Sequence, residues 1–123
     1  GQVYENMEKF HKSWKCQKAI DSYTKAIDIK PDYADAYYNM GKSYQKLKQY
    51  KDAITAYKKA IAVQPKGIWV NFARFSMGEV YEELEQYPKA LAAYRTVDEL
   101  LVDNAREKIS ELSKKLKPPQ KTD

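Results

Sequence analysis

Residues 34–67 read ADAYYNMGKSYQKLKQYKDAITAYKKAIAVQPKG, and this stretch decides the fold. Tyr37, Met40, Gly41, Tyr44 and Leu47 step by three and four, which puts them on one face of a helix. Lys48-Gln49 breaks the pattern, and Tyr50, Ala53, Ile54, Tyr57, Ala60 and Ile61 resume it. Gln64-Pro65 ends the second run, because proline biases the residue before it away from helix. Small residues at Gly41, Ala53 and Ala60 let two helices approach closely, while Tyr44, Tyr50 and Tyr57 fill the space beside them.

The stretch recurs on both sides. At an offset of 34, Ala19-Ile20 matches Ala53-Ile54, Tyr23 matches Tyr57, Lys25-Ala26-Ile27 matches Lys59-Ala60-Ile61, and Pro31 matches Pro65. At an offset of 37, Met40-Gly41 matches Met77-Gly78, Tyr44 matches Tyr81, Leu47 matches Leu84, Gln49-Tyr50 matches Gln86-Tyr87, and Ala53 matches Ala90. Self-similarity at such a period predicts an array of stacked supersecondary units.

The central unit resembles the tetratricopeptide repeat family nearly throughout. Tyr37 stands where that family usually has tryptophan, followed in register by Met40, Gly41, Tyr44, Tyr50, Ala53, Tyr57, Ala60 and Pro65. The flanking units match less well. In the first, Phe10, Ala19, Tyr23, Ala26 and Pro31 fit, but Met7 replaces the glycine and Trp14 occupies the turn between helices. In the third, Val97 and Val102 replace the last alanine and the proline, and three extra residues within 66–70 are expected to lengthen its first helix by about one turn. Ala105, Ile109, Leu112 and Leu116 then lie on one face of an amphipathic segment, as a terminal capping helix requires. The resemblance implies an all-α, right-handed α-solenoid of three helix pairs plus a C-terminal cap. The expected limits are one domain over residues 1–117, with repeats at 1–33, 34–67 and 68–102 and a cap at 103–117. Pro118-Pro119 stops the cap, and residues 118–123 are expected to be a disordered tail.

At 123 residues the chain suits a single domain, with seven helices expected. No apolar run approaches the ~20 residues that span a bilayer, and no signal-peptide pattern is present. A cytoplasmic location is the expectation, although the chain opens on Gly1 and is read as a piece from which an upstream targeting segment could have been removed. The single cysteine, Cys16, excludes an internal disulfide and is expected to be a buried structural thiol, since free cysteine is among the most buried residue types. Net charge is +5, but its distribution is uneven. Residues 34–67 carry seven Lys against two Asp, and residues 68–104 three basic against seven acidic side chains. Lys42 and Lys46 belong to a first helix, and Lys58 and Lys59 to the outside of a second. They point in different directions, which disfavours the single basic surface of a nucleic-acid protein.

No catalytic site, metal site or cofactor site can be assembled, so the chain is not expected to be an enzyme. His11, the only histidine, has no ligand partner at helical spacing. Glu82 and Glu83 diverge by ~100° as helical neighbours and do not form a carboxylate pair.

Of the eleven tyrosines, most are absorbed by packing. Tyr44 and Tyr81 follow Phe10 in register, Tyr50 and Tyr87 follow Cys16, and Tyr23, Tyr57 and Tyr94 form a third row. Another row is left over: Tyr4, Tyr38 and Phe75, with Phe72 and Trp69 beside it. In the family that the chain resembles, first helices line a concave groove, and this row would face it. The row is either an aromatic anchor line for a peptide, or it covers the groove floor or contacts an additional helix. Glu8, Lys42 and Glu79 are equivalent positions too, as are Lys12, Lys46 and Glu83, and opposite charges there would neutralise one another. The resemblance thus implies a protein–protein interaction module, an adaptor or scaffold, that holds a peptide or partner helix through Tyr4, Tyr38, Asn39, Lys42, Phe72, Phe75 and Glu79. The alternative is a structural or self-association segment of a longer repeat protein.

Relatives that hold the Glu-Glu-Val-Asp tails of heat-shock chaperones clamp the terminal carboxylates with Lys and Asn from one repeat, Asn from the next, and Lys and Arg from the third. Those positions here are Tyr4, Glu8, Asn39, Phe72 and Ser76. Only Asn39 fits, so a carboxylate clamp is not expected.

Overall fold

The structure is a computed structural model that describes residues 2–97 and 104–116. Six helices are present among the described residues, with no strand: α1 (Gln2–Ile29), α2 (Ala34–Lys46), α3 (Tyr50–Val63), α4 (Trp69–Glu83), α5 (Tyr87–Arg95) and α6 (Asn104–Leu116). Each helix packs on its neighbour in the chain, and α2 also touches α4. That pattern is the all-α solenoid read from the repeats, with the first helices of successive units side by side.

The second and third units are built by the same three devices, displaced by 37 residues. The first is a ring set against a bare backbone. Tyr57 and Tyr94 are fully buried, and each lies on the glycine of its own unit, Gly41 or Gly78. A Cβ on Gly41 would stand 2.5 Å from Tyr57 Cε1, and one on Gly78 would meet Tyr94 in the same way. The second device is a hydrogen bond across the helix pair. Tyr57 Oη donates to Gln45 Oε1 at 2.7 Å, and Tyr94 Oη donates to Glu82 Oε1. The third is the turn. Lys48 and Glu85 take left-handed φ values of 61° and 59°. At the first turn the Lys48 and Gln49 amides donate back to Gln45 O and Tyr44 O, and at the second the Glu85 and Gln86 amides donate to Glu82 O and Tyr81 O. This closure satisfies the last carbonyls of α2 and α4.

The first unit lacks all three, and here the expected helix pair is replaced by one continuous helix, α1. Met7 stands where a glycine must be for the Tyr23 ring to seat. Trp14 stands at the left-handed turn position, where a bulky side chain is strongly disfavoured, and Ser13 replaces the leucine that anchors the turn. Nothing therefore stops the helix at residues 13–15. Only its second half packs on the body, through Ile20 with Cys16, Ala19, Tyr23, Ala26 and Ile27 partly covered. Phe10, expected in a core row, is 73% exposed, and Cys16, expected to be buried, is only half-buried.

The third unit's first helix, α4, has 15 residues against 13 in α2. The rest of the insertion forms the turn around Gly67 and Ile68, where the Val70 amide donates to Gly67 O. At the far end, Ala105 and Leu112 of α6 are buried, and Leu112 packs on Ala90 and Tyr94. This is the expected cap. The expected boundaries at 103 and 117 and the tail at 118–123 fall outside the described residues.

The glycine device makes a sharp prediction. Gly41→Ala should gain up to ~1 kcal/mol in helix propensity yet lose about 1–3 kcal/mol by overpacking Tyr57. Urea denaturation should show net destabilisation. A gain in stability would mean that the ring can retreat from α2.

Candidate functional site

The leftover aromatic row becomes a surface because α2 and α4 lie side by side. Tyr38 of α2 meets Trp69 and Phe72 of α4 with ring centroids 5.2 and 6.5 Å apart, and Trp69 and Phe72 are 6.1 Å apart. All three are half-buried, so one edge of each remains open. Positions 72, 76 and 79 share a face of α4, and 38 and 42 share a face of α2, by their spacing of three and four. The patch therefore runs from an aromatic end at Trp69, Phe72 and Tyr38 to a charged end at Lys42 and Glu79, about 10 Å further along α4.

The row also has a structural duty. Tyr38 packs on the buried Tyr57 ring at 5.8 Å, and Phe75 packs on Tyr94 at 5.3 Å. Both readings of the row thus apply, but to different residues. Tyr38 and Phe75 cover the core tyrosines, whereas Trp69 and Phe72 make their ring contacts with each other and with Tyr38. Tyr4 joins neither group. It is 72% exposed on the first half of α1, away from the packed body.

Electrostatics sharpen the charged end. Burial raises the Glu79 carboxyl above its usual range, and Lys42 and then Lys108 pull it back down. Lys42 was expected to neutralise both Glu8 and Glu79. Lys42 acts on Glu79 only as a nearby charge that lowers its carboxyl, while Glu8 is exposed on α1. Burial also raises the Tyr38 phenol, against a hydrogen bond with Ser76 that lowers it. Ser76 is itself buried and serves Tyr57 as well. Asn39 is already engaged, since its Nδ2 donates to Asp35 O at 3.0 Å and to Asp35 Oδ1 at 2.6 Å. Every buried side-chain polar atom among the described residues has a partner.

Two contributors escaped the sequence reading. Ser76 lowers the phenols of both Tyr38 and Tyr57 against their burial, and Gln45 accepts from Tyr57. Gln45 had a signal available: it and Glu82 are 37 residues apart, and each precedes its tyrosine by twelve. His11 stacks on Trp14 at 6.4 Å and is exposed. No group of acidic, histidine or cysteine side chains that could hold a metal occurs among the described residues. None of the described helices is long and apolar enough to cross a membrane.

Comparison with known proteins follows the same lines. A tetratricopeptide repeat family model matches residues 34–66, and a second repeat model matches residues 15–48. The chain is 37% identical over 49 residues to the probable UDP-N-acetylglucosamine–peptide N-acetylglucosaminyltransferase SPINDLY of Oryza sativa subsp. japonica. That match spans 40% of this chain but only 5% of the relative. Among solved structures, the Arabidopsis OM64 TPR domain superposes with a TM-score of 0.72 at 24% identity, covering 89% of each chain. The first TPR domain of Spaghetti (RPAP3), bound to the HSP90 peptide SRMEEVD, superposes with a TM-score of 0.71 at 26% identity, covering 91% of this chain and 88% of that one.

Proposed function

Because this chain belongs to the tetratricopeptide repeat family, a fold that serves protein interaction, we propose that it is an adaptor or scaffold module that receives a peptide or partner helix on the α2–α4 face. The observation that carries this reading is the half-open aromatic platform of Tyr38, Trp69 and Phe72 beside the Lys42–Glu79 pair. A cluster of partly open aromatic anchors is the composition of a binding hot spot. The SPINDLY match covers a repeat segment only, and no catalytic role accompanies it here. A cytoplasmic setting suits a chain with one cysteine and no internal disulfide.

The platform is not a carboxylate clamp on this reading. Charge-assisted donors are the strong term in binding a terminal carboxylate. At the five clamp positions this chain offers Tyr4 and Glu8 on the projecting helix, an engaged Asn39, an aromatic Phe72 and a buried Ser76. Calorimetry with the SRMEEVD peptide that RPAP3 holds should therefore give no binding tighter than about 100 μM, or ~5.5 kcal/mol. A low-micromolar constant that disappears when the peptide's terminus is amidated would restore the clamp.

A selection from a peptide library displayed against the whole chain supplies the positive test. For the peptides recovered, Trp69→Ala and Phe72→Ala should each weaken binding by about 1–3 kcal/mol with little change in the unfolding midpoint. Tyr38→Ala and Phe75→Ala should lower both, because those rings also cover Tyr57 and Tyr94. If charge reversal at the outer Lys58 and Lys59 abolishes binding and the aromatic changes do not, the face is misassigned.

A further inference from the structure

The first half of α1 projects from the body with an apolar stripe that no other described element covers. Residues 2–15 make an arm of about 20 Å, and all of them are exposed. Val3, Met7, Phe10 and Trp14 recur at spacings of four, three and four, the seam of a two-stranded coiled coil, and they are 75%, 66%, 73% and 48% exposed. By helical periodicity this stripe lies roughly 140° around from the Cys16–Ile20–Tyr23–Ile27 stripe that packs on the body. It therefore cannot be buried by the surface that buries the rest of α1. A shallow hollow lined by Val3, Asn6, Met7, Phe10 and His11 runs along it, and Lys18 and His11 steady the Trp14 ring.

We propose that two copies of this chain pair antiparallel through these arms. Three properties of the stripe favour a second copy as the occupant. The first is charge. The flanking positions, Tyr4, Asn6, His11 and Ser13, carry no acid or permanent base, while Glu5, Glu8, Lys9, Lys12 and Lys15 all lie on the opposite side of the helix. A copy can thus approach its twin without like charges meeting across the seam. The second is shape. In the antiparallel register Val3 faces the partner's Trp14, and Met7 faces the partner's Phe10, so small meets large in each layer. Tyr4 then flanks the partner's His11, and Asn6 flanks the partner's Ser13. The third is area and placement. An aromatic side chain offers about 150–250 Å², so the exposed shares of Tyr4, Phe10 and Trp14 come to about 400 Å² per copy before Val3 and Met7 are added. Doubled, the seam approaches the ~1,200 Å² at which specific interfaces begin. Each body sits at the C-terminal end of its arm, so antiparallel pairing keeps the two bodies apart. The α2–α4 face stays open, and the inference stands independently of the peptide reading.

Sedimentation velocity and light scattering on the whole 123-residue chain test the proposal. A mass near twice 14.3 kDa is expected, falling to one chain for Phe10→Glu with an unchanged helical signal, since Phe10 packs on no core residue. Orientation is read by thiol cross-linking in a Cys16→Ser background. A mixture of Val3→Cys and Trp14→Cys chains should cross-link to each other, and neither should cross-link to itself, since like positions lie about 16 Å apart along the seam. The proposal is overturned by a monomer at every concentration, by a dimer that survives Phe10→Glu, or by self-cross-linking of Val3→Cys, which would mean parallel arms. A monomer in which positions 7 and 23 cross-link within one chain would overturn it too, by showing the hairpin closed.

Discussion

Replacing Tyr94 with alanine is expected to destabilise the chain by about 3–5 kcal/mol, the range for truncating a large buried aromatic, and Tyr57→Ala should cost as much. Both rings are fully buried. Each is also the piece around which its helix pair closes, because the facing glycine brings the opposite backbone against the ring. Backbone cannot move in to fill the space as a flexible side chain would, so the cavity term should stay near its full size. Against a typical total of 5–15 kcal/mol, either change removes much of the stability. Urea denaturation followed by circular dichroism reads it directly. A loss below about 1 kcal/mol at both positions would show that the ring-on-glycine contact is not the organising feature of the unit.

The phenylalanine variants separate ring from hydroxyl. Tyr57→Phe removes a neutral hydrogen bond to Gln45 and should cost about 0.5–1.5 kcal/mol, whereas Tyr94→Phe removes one to the Glu82 carboxylate and should cost about 1.5–3 kcal/mol. Burial raises both phenols above their ordinary value of 10.0, and at Tyr94 the hydrogen bond to Glu82 raises it further. The unfolded chain therefore releases these protons first. The folded state binds more protons than the unfolded one as pH rises above 10, so stability must fall through that range. A chain carrying both phenylalanines should start less stable at neutral pH and lose less on going alkaline.

How much of this was legible in the sequence varies by unit, for a physical reason. Residues 34–97 were readable because pattern and closure devices agree there. Gly41 and Gly78 face Tyr57 and Tyr94, and Lys48 and Glu85 turn the chain. In the first unit the two disagree. Ala19, Tyr23, Ala26 and Pro31 keep the repeat's register, and register predicts faces. Connectivity depends instead on the residues that let the chain reverse, and Met7, Ser13 and Trp14 do not. The same distinction governs the binding face. Tyr38 and Phe75 were found by register, since equivalent positions repeat, and Phe72 was set beside that row on the third unit. Their division into core cover and open platform depended on which rings each one meets across helices. Single-chain periodicity carries no such information. Tyr4 was placed with them on the assumption that the first unit folds back, and the straight α1 takes it elsewhere.

Replacing Leu112 with aspartate is expected to release α6 and uncover the third unit. Leu112 is 1% exposed and packs on Ala90 and Tyr94, with Phe75, Tyr81, Tyr87, Leu91 and Ile109 around that cluster. The polar ties of α6 are weaker. Lys108 lies 3.5 Å from Glu82 at a partly exposed site, and such pairs contribute at most ~1 kcal/mol. Lys115 sits 5.1 Å above the Tyr87 ring. Docking thus depends on Leu112, Ile109 and Ala105. Truncating a buried leucine alone costs about 2–5 kcal/mol, and a carboxylate placed among those rings adds a desolvation penalty that undocking avoids. The helix should therefore leave rather than accept the charge, exposing Tyr94, Leu91 and Phe75 to water. Hydrogen exchange should lose protection first in α5 and α6, with α2 and α3 retained, because units of a solenoid are stabilised by nearest neighbours. The α2–α4 platform would feel the loss at its charged end, where Lys108 of α6 acts on Glu79. Leu112→Ala is the control, since it should destabilise without ejecting the helix. If Leu112→Asp leaves α5 protected as before, α6 is an appendage and the third unit closes its own core.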